Sequence, residues 1–458
     1  MHDRLVIIGG GAAGMSAASA ARRVDPDLEV VVLEASGYAA YGMCGIPYYL
    51  AGLVERAEDL LAYPPAFFRE RRGIDLRLHA EATTLDPVAR VVHYAGDGRS
   101  ARISYDRLIV AAGGAPTFPP LPGLGDPHVF TVRTLEDAMA LRGLLDAGRV
   151  GRALVVGAGY IGLEMAEALA ARGVSVVVAE LLPRVMPNLD EPIAALVEEE
   201  VRRYGVDLRL GAGLTEVRRR GGSLEAVVDG EILSVDLVVV AVGVRAAATV
   251  AAGAGAETGP GGALLVDDRM RTSLPDIYAA GDCIAPHHLV LGRPAFVPLG
   301  PAANKTGRVA GTVAAGGDAT FRGIVGTAVV KVFDLGVGRT GLTLAEAEAA
   351  GLAATATDVV GKSRAKYYPG SAPLTVRLVH EEGGRLLGAQ MVGGDGVAKR
   401  IDVAATALQA GFDVDDLAAL DLSYAPPYAP VYEPILLAAQ SAARRQELAA
   451  PVPWGVFP

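Results

Sequence analysis

The sequence is short of cysteine, of basic charge and of long hydrophobic runs, and each shortage excludes a class of protein. Cys44 and Cys283 are the only cysteines among 458 residues, which excludes a disulfide framework and favours a reducing cytoplasm. A net charge of −10 argues against nucleic acid and anionic membrane surfaces as partners. No apolar run approaches the roughly 20 residues of a membrane-spanning helix. The chain is expected to be a cytoplasmic enzyme of several domains.

A glycine turn follows the first apolar segment of the chain. Gly9, Gly11 and Gly14 come directly after residues 5–8 and open a predicted helix. Glu34 ends the next apolar segment. Such glycines let the backbone approach a pyrophosphate, the helix N-terminus offers free N–H groups, and the carboxylate accepts ribose hydroxyls. The pattern therefore predicts a Rossmann-like dinucleotide site.

The same pattern recurs further along the chain. Gly157, Gly159 and Gly162 follow the apolar residues 153–156, and Glu180 ends the next apolar segment. One such turn is weak evidence because glycine-rich turns are common, but two complete strand–turn–helix–strand units are far more specific. Two dinucleotides on one chain imply an oxidoreductase that moves electrons between them.

The order of the motifs predicts three domains. Residues 1–112 and 244–324 are expected to form one discontinuous α/β domain, because a strand before Asp282 again ends in a glycine turn with a carboxylate. Residues 113–243 carry the second glycine turn and form an inserted Rossmann-like domain. Residues 325–458 lack a third glycine turn, so we expect an α+β domain without a cofactor of its own.

Together these motifs resemble the pyridine nucleotide–disulfide oxidoreductase family over essentially the whole chain. Beside the two glycine turns, the resemblance rests on the turn with Ala111 and Gly113 and on the turn with Gly281 and Asp282. It implies FAD in the first domain, NADH or NADPH in the second, and a homodimer formed through the third. It further implies that Asp282 binds the ribityl chain of FAD.

The resemblance also implies roles for the two carboxylates that end the second strands. Glu34 is expected to bind the adenosine ribose of FAD, and Glu180 the ribose of the nicotinamide coenzyme. Because a carboxylate at position 180 repels a 2′-phosphate, NADH is the predicted coenzyme. Arg184 lies nearby in the sequence, and its charge keeps NADPH as the alternative.

Cys44 selects a branch of this family. Members with an internal disulfide have a second cysteine five positions later, where this chain has Tyr49. Peroxidase and oxidase members have a histidine in the first glycine turn, where this chain has Ala12. The chain is more similar to coenzyme A (CoA)-disulfide reductases, and Ser16 and Arg23 match residues near the CoA arm. The resemblance thus implies a CoA disulfide, another small disulfide or a polysulfide as substrate.

Cys44 is the expected nucleophile, forming a mixed disulfide with half of the substrate so that no second cysteine is needed. It precedes a predicted helix start with Pro47 in the first turn, and the helix dipole is expected to favour thiolate. Cys283 is expected to be a buried core residue. Met43 and the pair at 40–41 depart from the better-known CoA-disulfide reductases, which leaves the identity of the disulfide open.

Five further residues match family positions. Tyr160 resembles an aromatic gate over the flavin, and Glu164 a glutamate near the flavin and the nicotinamide; a helix-terminal carboxylate is the plainer interpretation of Glu164. Tyr424, with Tyr367 or Tyr368, is expected to reach the Cys44 site of a partner subunit and to protonate the departing thiolate. Interface packing is the alternative role for these tyrosines.

Rival functions keep the fold and change the electron acceptor. An NADH oxidase or a polysulfide or persulfide reductase is the nearest alternative, and a reductase of rubredoxin or ferredoxin the second. A non-enzymatic flavoprotein ranks last, because both glycine turns and both carboxylates are complete. No metal site is predicted, since His287 and His288 have no cysteine or carboxylate at ligand spacing.

Overall fold

The computed structural model describes residues 3–96 and 98–449, so the predicted domain ends at residues 1 and 458 lie outside the described residues. The chain up to the first crossover consists of β1 (Arg4–Ile8), α1 (Ala12–Val24), β2 (Glu29–Leu33), α2 (Ile46–Ala51), α3 (Pro65–Arg72), β3 (Ile74–Arg77), β4 (Ala80–Asp86), β5 (Val91–Gly96), β6 (Arg99–Ser104) and β7 (Arg107–Val110).

The middle of the chain consists of β8 (Gly114–Pro116), β9 (Val129–Phe130), α4 (Leu135–Asp146), β10 (Arg152–Val156), α5 (Tyr160–Ala171), β11 (Ser175–Glu180), α6 (Glu191–Arg203), β12 (Asp207–Leu210), β13 (Leu214–Arg220), β14 (Ser223–Val228), β15 (Glu231–Val235), β16 (Leu237–Val240) and β17 (Val244–Ala246). The segment after it consists of α7 (Thr249–Gly253), β18 (Leu264–Leu265), β19 (Ile277–Ala279), β20 (Ile284–Ala285), β21 (His287–His288), β22 (Arg293–Pro294) and α8 (Gly300–Ala314).

The last part of the chain consists of β23 (Ala328–Val332), β24 (Leu335–Gly341), α9 (Leu344–Ala349), β25 (Ala354–Lys362), β26 (Pro373–Glu381), β27 (Leu386–Gly393), α10 (Val397–Ala410), α11 (Val414–Ala418) and α12 (Pro434–Ala449).

The first unit is a parallel sheet of five strands in the order β19–β7–β1–β2–β3. Its strands are buried on both faces, as expected for apolar runs in a doubly covered parallel sheet. Helices α1 and α8 pack together on it, and β4–β6 form an added antiparallel sheet. Because β19 joins β7 in this sheet, the chain leaves the unit and returns to it. The exact boundaries at residues 112, 243 and 324 stay predictions.

The second unit repeats this design with its own parallel sheet, ordered β12–β11–β10–β16–β9. Helix α5 follows β10 just as α1 follows β1, and β13–β15 form a small antiparallel sheet beside it. Helix α4 begins with a capping box between Thr134 and Asp137. The two predicted Rossmann-like units are therefore both present.

The third unit is an antiparallel sheet of five strands in the order β23–β24–β27–β26–β25, with α10 and α12 packed on it. The predicted fold class, two Rossmann-like units followed by an α+β unit, is confirmed. The unit contacts the second unit through the buried Asp190–Arg377 ion pair and through Glu167, which accepts from Phe333 N at 2.8 Å. Among the described residues no helix has the length and apolar character to cross a bilayer, and a cytoplasmic location stays a prediction.

Candidate active site

The two glycine turns have the same shape and leave the same open space. Gly9 and Gly157 have φ values of 103° and 102°, in the left-handed region that favours glycine. A Cβ would lie 2.3 Å from the Ala111 carbonyl oxygen at Gly9 and 2.5 Å from the Ala241 carbonyl oxygen at Gly157. Any side chain is thus excluded where each turn passes the end of the neighbouring strand of its sheet, β7 in the first unit and β16 in the second.

The remaining glycines of each turn have two distinct tasks. A Cβ on Gly14 or Gly162 would lie within 1.8 or 1.9 Å of the carbonyl oxygen that opens its turn, so helix and turn can pack only with glycine. A Cβ on Gly11 or Gly159, in contrast, would meet no atom within 4 Å. This open space above a helix N-terminus fits a pyrophosphate.

Glu34 and Glu180 are fixed by equivalent hydrogen bonds. Glu34 accepts from Gly10 N at 2.6 Å and from Ser36 N at 2.8 Å. Glu180 accepts from Ala158 N at 2.7 Å and from Leu182 N at 2.9 Å. Each carboxylate therefore links its glycine turn to the loop after its strand, and its remaining lone pairs can accept ribose hydroxyls.

Asp282 lies where the first sheet meets the second unit. Gly281 N donates to Thr306 Oγ1 at 3.1 Å, and the turn continues into Asp282. Ala111 N donates to Ile8 O at 2.8 Å in the neighbouring turn, which ends at Gly113. Burial raises the pKa of the Asp282 carboxyl. The predicted turns of the first unit thus converge on one edge of its sheet.

Cys44 lies in a short 3₁₀ turn, Met43–Gly45, that leads into α2. Its side chain is exposed, yet the surrounding protein raises the pKa of the thiol, first through burial and then through Glu164 and Asp282. Burial and the two carboxylates thus oppose the acidification expected from the helix N-terminus, which stays a prediction. Ala40 N donates to Gly10 O at 2.8 Å, and α2 packs against α5, so Cys44 lies between the first and second units.

Arg133 is a site residue that the sequence analysis missed. Its charge opposes the rise that burial causes in the pKa values of Cys44, Tyr41 and Asp282, and its Nη2 lies 3.1 Å from where a Cβ on Gly113 would stand. The preceding Val132 has φ 51°, a strained conformation for a β-branched residue. Nothing separates Arg133 from the many other arginines in the sequence, whereas its surroundings identify it as a cation of the site.

Glu164 and Tyr160 occupy the start of α5. Burial, helped by Glu167, raises the pKa of Glu164 to about 7. Burial also raises the pKa of Tyr160, while a hydrogen bond with the Asn188 side chain and the charge of Arg339 oppose this. Glu164 thus contributes to the electrostatics of Cys44, and Tyr160 lies near Asn188 in the loop before α6. The role of Tyr160 as a gate stays a prediction.

The predicted substrate residues line one face of α1. Ser16 and Arg23 are seven residues apart, so they lie on the same side of the helix about 10 Å from each other. The Ser16 hydroxyl donates to Asn304 Oδ1 at 2.8 Å, which ties this face to α8. Arg23 is exposed. The role of both residues stays a prediction.

The predicted catalytic tyrosines lie on the third unit and are solvent-exposed. The neighbouring Tyr367 raises the pKa of Tyr424. Tyr368 is also exposed. Two separate segments thus bring Tyr367 and Tyr424 close together on the surface, which favours Tyr367 as the companion of Tyr424, and the catalytic role of these tyrosines stays a prediction.

Cys283 differs from Cys44 in its exposure. It is fully buried, and its thiol donates to the carbonyl oxygens of Val110 and Ala280 at 3.3 and 3.2 Å. Burial raises its pKa to about 11. The predicted core role of Cys283 matches this environment. Across residues 3–96 and 98–449, no group of three His, Cys, Asp or Glu side chains could hold a metal ion.

Comparison with known proteins agrees with this architecture. Residues 3–310 match the pyridine nucleotide-disulphide oxidoreductase family, and residues 327–434 match its dimerisation domain. The chain is 38% identical to the NAD(P)H coenzyme A polysulfide/persulfide reductase of Pyrococcus horikoshii, over 96% of this chain and 98% of that protein. It is 29% identical to the coenzyme A disulfide reductase of Staphylococcus haemolyticus, over 93% and 96% of the two chains.

Solved structures of relatives have the same fold. The NAD-dependent persulfide reductase from A. fulgidus matches with a TM-score of 0.93 and 39% identity, over 97% of this chain and 84% of that one. The water-forming NADH oxidase from Lactobacillus brevis, bound to NADH, matches with a TM-score of 0.93 and 28% identity, over 98% and 100%. The predicted pairing of a flavin with a nicotinamide coenzyme is confirmed at the level of the family. This chain is an oxidoreductase that belongs to the pyridine nucleotide-disulphide oxidoreductase family.

Proposed function

We propose that this enzyme uses NADH and bound FAD to reduce CoA disulfide, or a related small disulfide or polysulfide, through a mixed disulfide on Cys44. The observation that carries this proposal is the position of Cys44. It is the exposed one of the two thiols. It lies between a segment that is hydrogen-bonded to the first glycine turn, from Ala40 N to Gly10 O, and helix α2, which packs on α5 of the second unit. A thiol between two nucleotide-binding units can accept electrons that pass from one to the other.

The residues present fit both cofactors. The open space at Gly11 and the carboxylate of Glu34 suit the pyrophosphate and ribose of FAD, and Gly159 with Glu180 suit those of NADH. When bound, NADH and FAD would supply two electrons. Glu180 is only 8% exposed, so a 2′-phosphate beside it would meet a buried negative charge, which supports NADH over NADPH.

Cys44 carries the sulfur chemistry. Its thiolate attacks one sulfur of the substrate; a bond forms between Cys44 and that sulfur, and the other half leaves as a thiolate. Addition of two electrons and a proton then splits the mixed disulfide into the Cys44 thiolate and a second thiol. The Cys44 backbone N–H and Arg133 favour the thiolate against burial and the two carboxylates.

The surface beside Cys44 supports a substrate with phosphates and an adenine, as in CoA. Gly42 N donates to Leu60 O at 2.8 Å, which joins the Cys44 turn to the segment before α3. There the Tyr63 and Phe67 rings stack at 4.2 Å, and the Arg72 guanidinium lies 5.5 Å from the Phe67 ring. An aromatic stack with an exposed Tyr63 ring, a half-buried Phe67 ring and a half-buried arginine beside it suits a nucleotide disulfide.

A homodimer completes the proposed site. The exposed tyrosines of the third unit belong to the part of the chain that matches a dimerisation domain. In a dimer, Tyr424 and Tyr367 would face Cys44 of the partner subunit, and the Tyr424 hydroxyl would donate a proton to the leaving thiolate. Because Tyr367 raises the pKa of Tyr424, this hydroxyl is protonated near neutral pH.

Steady-state kinetics of the purified enzyme test the proposal. NADH oxidation is followed with CoA disulfide, cystine, sodium polysulfide or oxygen as acceptor. We expect the highest kcat/KM with CoA disulfide or polysulfide, and slow hydrogen peroxide formation with oxygen. An enzyme that reduced oxygen faster than any sulfur compound would instead be an NADH oxidase, despite the absence of a histidine at Ala12.

A further inference from the structure

The two segments that carry Tyr367 and Tyr424 meet at one buried ion pair. Arg400 on α10 and Glu433, the residue before α12, are each 8% exposed. Arg400 Nε and Nη2 donate to the two carboxylate oxygens of Glu433, with Nη2 at 3.0 Å from Oε2. Such a fork-to-fork pair fixes the plane of the guanidinium group.

The same guanidinium also binds the backbone of both tyrosine segments. Arg400 Nη2 donates to Ser363 O at 2.9 Å, four residues before Tyr367, and to Tyr428 O at 3.4 Å, four residues after Tyr424. Its Nη1 donates to Gly396 O at 3.2 Å. One side chain thus joins two segments that are about 60 residues apart in the sequence.

Few hydrogen bonds join the two segments to each other, although the first is also held by Ser363 N, which donates to Ala372 O at 2.9 Å, and by the Arg364–Asp395 ion pair. The first runs from the end of β25 to the start of β26, and the second from α11 to α12, and neither has regular secondary structure. A single backbone hydrogen bond, from Ala365 N to Pro426 O at 3.2 Å, joins them directly. The Tyr424 side chain is 49% exposed. The relative position of the two hydroxyls therefore depends on the Arg400 anchor.

The start of α10 is built around this arginine. A Cβ on Gly396 would lie 1.9 Å from Arg400 Nη1, and the φ of Gly396 is 79°. Only glycine leaves room for the guanidinium here. A buried ion pair adds little net stability compared with apolar residues of similar size, so stability alone does not account for this arrangement.

We propose that Arg400 and Glu433 are positioning residues, which hold the segments of Tyr367 and Tyr424 together so that the Tyr424 hydroxyl can deliver a proton to the thiolate leaving the partner's Cys44. The inference rests on the proposed function. It implies that the pair acts on the thiol-release step and on no step between NADH and FAD.

A double variant tests this inference while avoiding an unpaired buried charge. Arg400→Met/Glu433→Leu replaces the pair with apolar residues of similar size, which buried sites tolerate. In the FAD-loaded dimer we expect kcat to fall about 10–100-fold with whichever of CoA disulfide and polysulfide the wild type reduces faster. The KM for NADH and the rate of flavin bleaching by NADH should stay at wild-type values. Imidazolium buffer should restore part of the lost kcat, because a small acid can replace the misplaced hydroxyl.

Two further variants separate positioning from stability. Leu408→Ala removes a buried side chain from the same helix, α10, and should lower the unfolding temperature without changing kcat or its response to imidazolium. Tyr424→Phe should reproduce the loss of kcat and its partial rescue by imidazolium.

The outcomes distinguish this inference from the proposed function. If Tyr424→Phe is slow but the double variant has wild-type kcat, the inference is wrong and the proposed function stands. If Tyr424→Phe itself has wild-type kcat, the proton-donor role proposed for the tyrosines is wrong, and the inference fails with it. A double variant that is monomeric by light scattering, or slow but unaffected by imidazolium, would show that the pair serves assembly or packing and would also overturn the inference.

Discussion

The two nucleotide-binding units have nearly superimposable glycine turns and very different surroundings. In the first unit α8 packs along α1, and Ala13, next to the turn, is buried. In the second unit the equivalent residue, Ile161, is exposed, and so are Val242 and Leu181, the latter to 73%. An enclosed turn suits a cofactor that stays bound, whereas an open apolar edge suits a coenzyme that enters and leaves. The same local motif thus serves permanent and exchangeable binding, depending on what covers it.

The largest expected effect is that of removing the Cys44 thiol, which should separate disulfide reduction from the reduction of flavin by NADH. Cys44→Ser is expected to abolish disulfide and polysulfide turnover, because the nucleophile is lost. Flavin bleaching by NADH should persist at the wild-type rate, since the second unit and its coenzyme edge are untouched. Stopped-flow absorbance measures the flavin step, and NADH consumption measures turnover.

The matched control for Cys44→Ser is the other cysteine. Cys283→Ser should keep turnover within about twofold of wild type, because its buried thiol has no part in the sulfur chemistry. Wild-type turnover by Cys44→Ser would show that the substrate takes electrons without a mixed disulfide.

A matched pair of glycine variants tests whether the enclosed first turn binds FAD and the open second turn binds NADH. Gly9→Ala and Gly157→Ala create equivalent clashes with a carbonyl oxygen at φ values near 100°, with a similar local cost of about 1–3 kcal/mol. Gly9→Ala should yield protein depleted of FAD. Gly157→Ala should retain FAD and raise the KM for NADH. Flavin absorbance per chain and NADH titration check both outcomes, and full FAD content in Gly9→Ala would contradict the assignment of the first turn.

Coenzyme choice should depend on two adjacent residues at the open edge. Glu180→Ala/Leu181→Arg removes the buried carboxylate and places a cation at an exposed position. The ratio of kcat/KM for NADPH to that for NADH should rise by about 10–100-fold, or roughly 1–3 kcal/mol. Glu34→Ala removes the equivalent carboxylate of the first unit and should leave that ratio unchanged.

Arg184 provides a separate check on that interpretation. Its Nη2 donates weakly to Pro187 O at 3.4 Å, and its Nε has no hydrogen-bond partner among the described residues. If wild type preferred NADPH and Arg184→Gln removed the preference, Arg184 would override Glu180.

The smallest expected effect concerns Glu164. Its pKa of about 7 in the folded protein lies above the ordinary value of 4.5, so the folded state binds a proton more tightly than the unfolded state. Stability from this group is complete below about pH 4.5 and is lost as pH rises through about 7. Glu164→Gln should therefore raise the unfolding temperature of the FAD-free enzyme at about pH 8, by the equivalent of about 1–3 kcal/mol, and change it little at about pH 5.

An exposed glutamate of the same unit supplies the control for Glu164. Glu199→Gln should change the unfolding temperature little at either pH, because Glu199 lies on the exposed face of α6. Equal behaviour of the two variants would show that Glu164 is ordinary in the folded protein.

The sequence analysis predicted the features that depend on local pattern. Both glycine turns, their carboxylates and the return of the chain through β19 follow from glycine spacing and apolar runs, because turn geometry and strand burial are local constraints. For the third unit the sequence analysis predicted only the α+β class. Strand β24 shows why its strands are harder to place, because three glycines interrupt its apolar pattern.

The remaining features depend on contacts between distant residues. The anchoring of both tyrosine segments by Arg400 joins positions that no local pattern connects, and the strain at Val132 is visible only in the backbone. The helix start beside Cys44 was visible in the sequence, whereas the burial and the approach of Glu164 and Asp282 that raise the pKa of its thiol were not. Electrostatics at a site between domains require the fold.

The central claim is that Cys44 holds half of the substrate while electrons arrive from the nucleotide-binding units. The most direct test is the intact mass of the enzyme after incubation with CoA disulfide in the absence of NADH. The account predicts one CoA adduct per chain on wild type and on Cys283→Ser, none on Cys44→Ser, and complete removal of the adduct when NADH is added. Turnover of CoA disulfide by an enzyme that never forms this adduct, or an adduct that NADH leaves in place, would contradict it.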